Sequence, residues 1–240
     1  MINNNQSSRS GCRDIWNAFM VKDAIFSTND IPFCPTTATA VPKNLISYVE
    51  AKSIYKREIK SKNCQFHNNA FVHFYIDDYK FDSTNSGIWS DPYSALEVLK
   101  HFEGVVTPDF STYADFPDPL KRWNTYRMRA YGLWLSTYGI QIINNVRWGE
   151  PETWEYCFDG LPSDSIFCIG TIASGLKEVS NRQPFTEGLL ELIYRKNPHT
   201  LIIYGSANYS MFNDLKNCGI NIVPFASDIS VAYERRRPYV

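Results

Sequence analysis

Five short apolar runs, separated by segments long enough to form helices, constrain the fold of this chain more than any other feature. The runs are VVT, IQII, IFCIG, LIIYG and INIV, which begin at Val105, Ile140, Ile166, Leu201 and Ile220. Apolar residues fill these runs without alternating with polar ones, as is typical of strands covered on both faces. With an aromatic strand at residues 70–75, they predict an α/β fold with a mainly parallel sheet of about six strands and flanking helices. Both an open doubly wound sheet and an incomplete barrel satisfy this pattern.

The amino-terminal part of the chain differs from the rest in composition. Residues 1–44 are polar, contain several prolines and show weak periodicity, which predicts an irregular extension. Residues 45–60 show a helical apolar stripe, and we expect residues 45–240 to form a single α/β domain. The 240-residue chain is 44% hydrophobic and 20% charged, which excludes a disordered or fibrous protein.

Charge, cysteine spacing and apolar run lengths point to a cytoplasmic protein. The 24 basic and 25 acidic residues give a net charge of −1, so the overall basic charge typical of many nucleic-acid-binding domains is missing. The six cysteines include no CxxC pair, which disfavours a structural zinc site. The first ten residues lack an apolar signal-peptide core, and no apolar run approaches the roughly 18 residues of a membrane helix. We therefore expect no membrane partner, and the oligomeric state stays open.

Carboxylates follow two of the predicted strands. Asp77 and Asp78 follow the strand at residues 70–75, and Asp109 follows the next one. Because parallel strands end at one shared edge, we expect these residues to lie close together. Carboxylates there could bind Mg²⁺ or act as a general base, so Asp77 and Asp109 are the candidate catalytic residues and candidate Mg²⁺ ligands. Asp77 and Asp78 alternate in direction, so only one is expected to face the site. Turn capping is the structural alternative.

Basic, aromatic and small polar residues occur near the same predicted edge. Arginine forks bind phosphate and aromatic rings stack on bases, while small residues in the GTIASG and GSAN loops leave backbone N–H groups free for a phosphate. An alternative is that the arginines pair with surface acids and the rings form core. The candidate ligand-binding residues are Tyr113, Asn124, Arg127, Asn144, Arg147, Trp148, Thr171, Ser174 and Ser206.

Three stretches resemble an uncharacterised family of phage, bacterial and archaeal mobile-element proteins, the domain of unknown function 4417. They are GVVTPDFSTY at residues 104–113, NTYRMRAYGLWLSTYGIQIINNVRW at 124–148 and FCIGTIAS at 167–174. The resemblance spans most of residues 70–228 and leaves out the first 44 residues. It implies a phage or mobile-element setting, and supplies no known activity or catalytic residue.

Together these features predict a phage or mobile-element accessory protein that binds a nucleotide or nucleic acid at the carboxyl ends of its strands. Mg²⁺-dependent phosphodiester chemistry is the catalytic form of this hypothesis, and whether the protein is an enzyme stays open. For a phage-encoded protein, the expected location is the host cytoplasm. The alternative hypothesis is a non-enzymatic accessory protein that sequesters a host signal molecule or blocks a host protein.

Overall fold

The sheet of this protein is entirely parallel, with its strands in the order in which they occur along the chain. The computed structural model describes residues 11–172, 174–228 and 230–231. The strands are β1 (Leu45–Ser47), β2 (Asn68–His73), β3 (Phe102–Val106), β4 (Gln141–Asn145), β5 (Ile166–Gly170), β6 (Thr200–Tyr204) and β7 (Asn221–Phe225). The sheet curls into a half-barrel with six flanking helices, which confirms the predicted α/β class and its incomplete-barrel alternative.

In the part of the chain that the structure describes, six α-helices connect or follow these strands. They are α1 (Tyr48–Lys60), α2 (Pro92–Leu99), α3 (Asp118–Ser136), α4 (Trp154–Cys157), α5 (Arg182–Lys196) and α6 (Ser210–Asn217). Polar side chains define two of the starts: Ser47 accepts a hydrogen bond from the N–H of Glu50, and Asp91 accepts one from Ser94. Among the described residues, none of the helices combines the length and apolar character needed to cross a membrane.

The strand β1 is the element that the sequence did not predict. Residues 45–47 were expected to be the first turn of a helix, but they pair in parallel with β2, with Leu45 opposite Phe71 and Ser47 opposite His73. The helix therefore begins at Tyr48, and the sheet has seven strands where about six were expected. A three-residue strand takes its conformation from its neighbour, so its own sequence carries little signal.

Part of the predicted amino-terminal extension lies inside the sheet. The carboxyl end of β4 pairs with the amino half of β5, with Asn144 opposite Phe167 and Asn145 opposite Cys168. In the amino half of β4, the carbonyl oxygen of Ile142 instead accepts hydrogen bonds from the N–H groups of Thr37 and Ala38, at 3.0 and 3.2 Å. Cys34 packs in the core on the helix side, whereas Ala38 packs on the inner face. Residues 34–38 therefore pass between the two strands and connect both faces of the sheet.

Candidate functional site

Two adjoining depressions open where the strands end. The first, the polar cavity, has a volume of about 280 Å³, and its walls include Tyr75, Asp78, Asp109, Tyr204 and Asp228. The second, the aromatic cleft, has a volume of about 610 Å³, and its walls include Trp148, Trp154 and Phe185. Tyr113, Arg147 and Gly170 line both. Strand-end geometry therefore brings polar and aromatic walls together, as expected for the ligand sites of parallel sheets.

A chain of hydrogen bonds holds Arg147 at the boundary between the two depressions. Tyr75 donates its hydroxyl hydrogen to Asn145 Oδ1 at 2.8 Å, and Asn145 Nδ2 donates to Asp109 Oδ1 at 2.8 Å. Arg147 Nη1 donates to the other oxygen, Asp109 Oδ2, at 2.7 Å. Burial disfavours the charged form of Arg147, but the Asp109 carboxylate outweighs this effect, and the pKa of Arg147 lies above its ordinary value. The guanidinium is therefore a fixed positive charge.

The remaining donors of Arg147 are available to a ligand. Its side chain is 19% exposed, and within the described residues its only hydrogen bond is the one from Nη1 to Asp109. The Nε–H and Nη2–H groups therefore have no protein acceptor in this part of the chain. An arginine that is anchored by one nitrogen and free at the others can bind a phosphate or carboxylate with two hydrogen bonds.

Asp77 and Asp78 both line the polar cavity but are used differently. Asp77 is exposed and forms an ion pair with Lys80 at 2.7 Å; the hydrogen bond from this lysine lowers the pKa of Asp77. The two oxygens of Asp78 accept hydrogen bonds from the hydroxyl and the N–H of Ser111, at 2.9 and 3.2 Å. Burial raises the pKa of Asp78 despite these bonds. Asp78 is therefore half-buried and bound to Ser111, whereas Asp77, which the sequence had favoured, is exposed and paired with Lys80.

The rings that line the aromatic cleft include an exposed one, Tyr113, and others that pack against neighbouring rings. Tyr113 is 49% exposed at the junction with the polar cavity. Trp148 packs against Phe185, with ring centroids 4.9 Å apart. Gly188 allows this position, because a Cβ atom there would lie 2.1 Å from Cδ1 of Trp148. The helix α5 therefore holds the indole in the cleft wall, and an alanine at Gly188 would displace it.

Six of the predicted site residues line the cavity or the cleft. These are Asp77, Asp109, Tyr113, Arg147, Trp148 and Ser174. Asp109 uses both carboxylate oxygens for Asn145 and Arg147, so its observed contacts hold other side chains in place. The predicted roles of these residues in catalysis, metal binding and ligand binding stay predictions.

The predicted residues of α3 lie outside both depressions. Asn124 is buried, and its side-chain amide donates to the carbonyl oxygen of Ser111. Arg127 forms a buried ion pair with Asp82 at 2.8 Å, and its guanidinium carbon lies 3.8 Å from the ring centroid of Phe110. Their polar groups are thus engaged within the protein, which differs from the expectation that they face a ligand.

The other predicted residues outside the two depressions are Asn144, Thr171 and Ser206. Asn144 donates to the carbonyl oxygen of Cys34 at 3.0 Å and thereby holds the segment that crosses the sheet. Thr171 donates its hydroxyl hydrogen to the carbonyl oxygen of Ser206 at 3.0 Å, so the two small-residue loops bind each other. The observed contacts of all three residues are therefore structural, in contrast to the expectation of a phosphate-binding loop pair.

His73 is a buried group behind the polar cavity that the sequence did not single out for the site. Its ring centroid lies 4.2 Å from that of Tyr204, and its Nδ1 accepts the N–H of Tyr75 at 3.2 Å. The proton of neutral His73 therefore sits on Nε2, which lies 4.0 Å from Asp228 Oδ1 and has no hydrogen-bond partner among the described residues. Burial lowers the pKa of His73 to about 4. The sequence signal was its spacing of two residues from Tyr75, whose ring centroid lies 5.7 Å from that of His73.

We expect His73 to make the protein less stable in acid. The unfolded chain takes up a proton near the ordinary histidine pKa of 6.5, whereas folded His73 does so only near 4, so stability falls as the pH drops between these values. The expected loss is about 3 kcal/mol. Urea unfolding from pH 7 to pH 4 should show a smaller loss of stability for His73→Phe than for the wild type. Identical pH profiles for wild type and His73→Phe would contradict this account.

Comparison with known proteins places the chain in a family. The model of an uncharacterised family, the domain of unknown function DUF4417, matches residues 24–225. The chain belongs to this family. The match begins within the predicted extension, whereas the resemblance noted from sequence left out residues 1–44.

Two relatives of this DUF4417 chain are phage proteins. It is 32% identical over 173 residues to the Gene 1 protein of Mycobacterium phage L5, covering 72% of the chain and 70% of that protein. It is 31% identical over 169 residues to the Gene 1 protein of Mycobacterium phage D29, covering 70% of the chain and 58% of that protein. No solved structure matches significantly. The comparisons confirm the predicted resemblance to an uncharacterised family with phage members.

Proposed function

We propose that this protein binds a nucleotide at the carboxyl ends of its parallel strands, with phosphate at Arg147 and the base in the aromatic cleft. The position of Arg147 carries this proposal. Its guanidinium lies on the wall common to the polar cavity and the aromatic cleft, where one nitrogen is anchored to Asp109 and the others have no acceptor among the described residues. A phosphate at this boundary would leave the attached nucleoside beside the rings of the cleft.

Aromatic side chains supply the surface for the base. Tyr113 stands at the junction of the two depressions, and Trp148 is held by Phe185 and the bare backbone of Gly188. Stacking on such rings contributes about 1–3 kcal/mol per base and tolerates every base type, because each base has a π face. The arrangement therefore supports recognition of a planar group next to a bound anion.

The charge of the polar cavity makes Mg²⁺ part of this proposal. Four aspartates line the cavity against Lys80 and Arg147, so a bare phosphate would meet a net negative wall. Mg²⁺ commonly binds through one or two carboxylates together with the phosphates of a ligand, and Asp78 is the half-buried carboxylate suited to this role. Among the described residues, no three His, Cys, Asp or Glu side chains are arranged to hold a metal. We therefore propose that the ion binds together with the nucleotide.

We expect Tyr113→Ala and Arg147→Lys each to weaken nucleotide binding about 10-fold. Tyr113→Ala removes a stacking surface. Arg147→Lys removes the guanidinium donors for phosphate but keeps a positive charge beside Asp109. Calorimetric titrations with the four ribonucleoside monophosphates, with and without Mg²⁺, measure this effect. Tyr138→Ala is the matched control: Tyr138 is 50% exposed, close to the 49% of Tyr113, and follows α3 outside the cavity and the cleft. Absence of binding by any monophosphate, together with absence of binding by longer oligonucleotides, would overturn the proposal.

The fate of the bound ligand separates catalysis from sequestration. Ligand recovered unchanged after denaturation in the presence of Mg²⁺ supports a protein that only sequesters it, whereas cleaved ligand supports phosphodiester chemistry. Asp77→Asn tests the predicted catalytic role, because this carboxylate is exposed and contacts Lys80, so its loss leaves the buried network intact. Retained cleavage in this variant would remove Asp77 from the mechanism.

A further inference from the structure

The aromatic cleft adjoins a further depression of about 610 Å³, the outer groove. The two share Glu187 as a common wall. The outer groove is lined by the start of α5, including Arg182, and by the residues that begin α6, including Tyr209. The polar cavity, the aromatic cleft and the outer groove therefore adjoin one another along the edge where the strands end.

The outer groove repeats the combination of an arginine and a ring found at Arg147. The guanidinium carbon of Arg182 lies 5.6 Å from the ring centroid of Tyr209. Arg182 donates to the backbone carbonyl oxygens of Leu176 and Lys177, and no carboxylate of a described residue forms an ion pair with it. Its charge is therefore available to an anionic ligand, next to a ring that can stack on a base.

The two combinations belong to different strands of the sheet. Arg147 follows β4 and Tyr209 follows β6, and β5 lies between these strands. Neighbouring strands are about 4.8 Å apart, so the two exits are separated by roughly 10 Å. One base cannot stack on rings attached to both exits, and two bases on a common backbone can.

The groove outside the polar cavity is close to neutral. Glu150 is paired with Lys121 at 3.1 Å, and Glu187 accepts a hydrogen bond from Gln183 at 3.0 Å. Arg147 is likewise paired with Asp109, so Arg182 and Glu187 carry the charges that no ion pair among the described residues neutralises. Because few phosphate charges would be compensated, affinity should come mainly from stacking and depend weakly on salt.

We propose that the ligand is a single-stranded oligonucleotide, with at least two consecutive nucleotides bound along the aromatic cleft and the outer groove. This inference rests on the proposed function, because it places the first nucleotide at Arg147. The second nucleotide stacks on Tyr209, and its phosphate contacts Arg182. Two ring-and-arginine combinations in adjoining depressions match the repeated base-and-phosphate unit of a nucleic acid strand.

Binding as a function of ligand length tests this inference. Titrations of the full chain with 5′-phosphorylated oligouridylates and oligothymidylates of one to six nucleotides should show affinity rising about 10-fold or more beyond one nucleotide and then levelling off. Tyr209→Ala should remove this gain and leave mononucleotide binding unchanged, whereas Tyr113→Ala should weaken binding at every length. Tyr194→Ala is the control, because Tyr194 is 85% exposed on α5 and lies outside the outer groove.

The outcomes distinguish this inference from the proposed function. Equal affinity for one and for several nucleotides, or an unchanged gain with length in Tyr209→Ala, would overturn the oligonucleotide inference and leave nucleotide binding standing. Absence of binding at all lengths would overturn both. Thermal unfolding of Tyr209→Ala at the wild-type temperature would show that its effect on binding is not a folding defect.

Discussion

Replacement of Arg129 by methionine is expected to lower the free energy of unfolding by about 3–5 kcal/mol. Arg129 is fully buried in α3, and its guanidinium donates to three backbone carbonyl oxygens, those of Asn145, Cys157 and Asp159, at 3.0–3.1 Å. Methionine fills much of the same volume but leaves these buried acceptors without donors, and each unsatisfied group costs about 1–3 kcal/mol. The arginine thus joins Asn145, at the end of β4, to the end of α4 and the residues that follow it.

Urea unfolding measures this effect, with Arg195→Met as the matched control. Arg195 is 37% exposed on α5 and pairs with Glu191 within one helix, so its replacement should change stability by about 0.5 kcal/mol or less. Burial lowers the pKa of Arg129 to about 10, still well above neutral, so the side chain is charged in the folded protein. A loss for Arg129→Met no larger than that for Arg195→Met would show that the three carbonyl bonds do not hold the segments together.

Local sequence patterns were sufficient to predict the fold class. Continuous apolar runs alternate with helical segments, and this alternation arises from short-range backbone preferences and from burial on both faces. Pairing between distant segments was not visible in the same way. The strand β1 exists because Leu45 and Ser47 pair with β2, and residues 34–38 enter the gap between β4 and β5 because Ile142 accepts their N–H groups.

The candidate site was predicted in part for the same reason. The strand-end rule placed Arg147 and Asp109 at one edge, and the structure joins them at 2.7 Å. The strand-end rule did not distinguish Asn144 from Asn145. Neighbouring residues of a strand point to opposite faces of the sheet, and only the curl of the sheet determines which face encloses the cavity. Asn145 lies two residues after Ile143 of the inner core, and this period-two spacing was the available signal.

The prediction that Arg127 binds a ligand did not include its contact with Asp82, which lies far away along the chain. Arg127 and Arg147 present the same guanidinium group, and both lie near aromatic and other basic residues in the sequence. Each guanidinium pairs with a carboxylate, Arg127 with Asp82 45 positions earlier and Arg147 with Asp109, but Arg127 also donates from Nε and Nη2 to Asn124. No spacing rule connects a loop carboxylate with a helix residue at that distance, so only the tertiary structure identifies the pair.

Replacement of Asp82 by asparagine should lower the free energy of unfolding by about 3 kcal/mol, because it leaves a buried guanidinium without its carboxylate. Nη1 of Arg127 donates to both oxygens of Asp82 at 2.8 Å, and the two side chains are only 10% and 19% exposed. The double variant Asp82→Asn/Arg127→Met should lose less than the sum of the single variants, since it removes the charge that the first change leaves unpaired. Urea unfolding of the four proteins measures this coupling.

Glu97→Gln is the control for this cycle, because its pair with Lys100 is exposed at the surface and should be worth less than about 1 kcal/mol.

The same variants also decide between a structural role and a ligand-binding role for Arg127. A structural role requires that folded Arg127→Met keeps the wild-type affinity for nucleotides, since Arg127 lines neither the polar cavity nor the aromatic cleft. Loss of nucleotide binding by Arg127→Met at unchanged stability would instead indicate that Arg127 contacts the ligand. The ion pair with Asp82 would then have to open when the ligand binds.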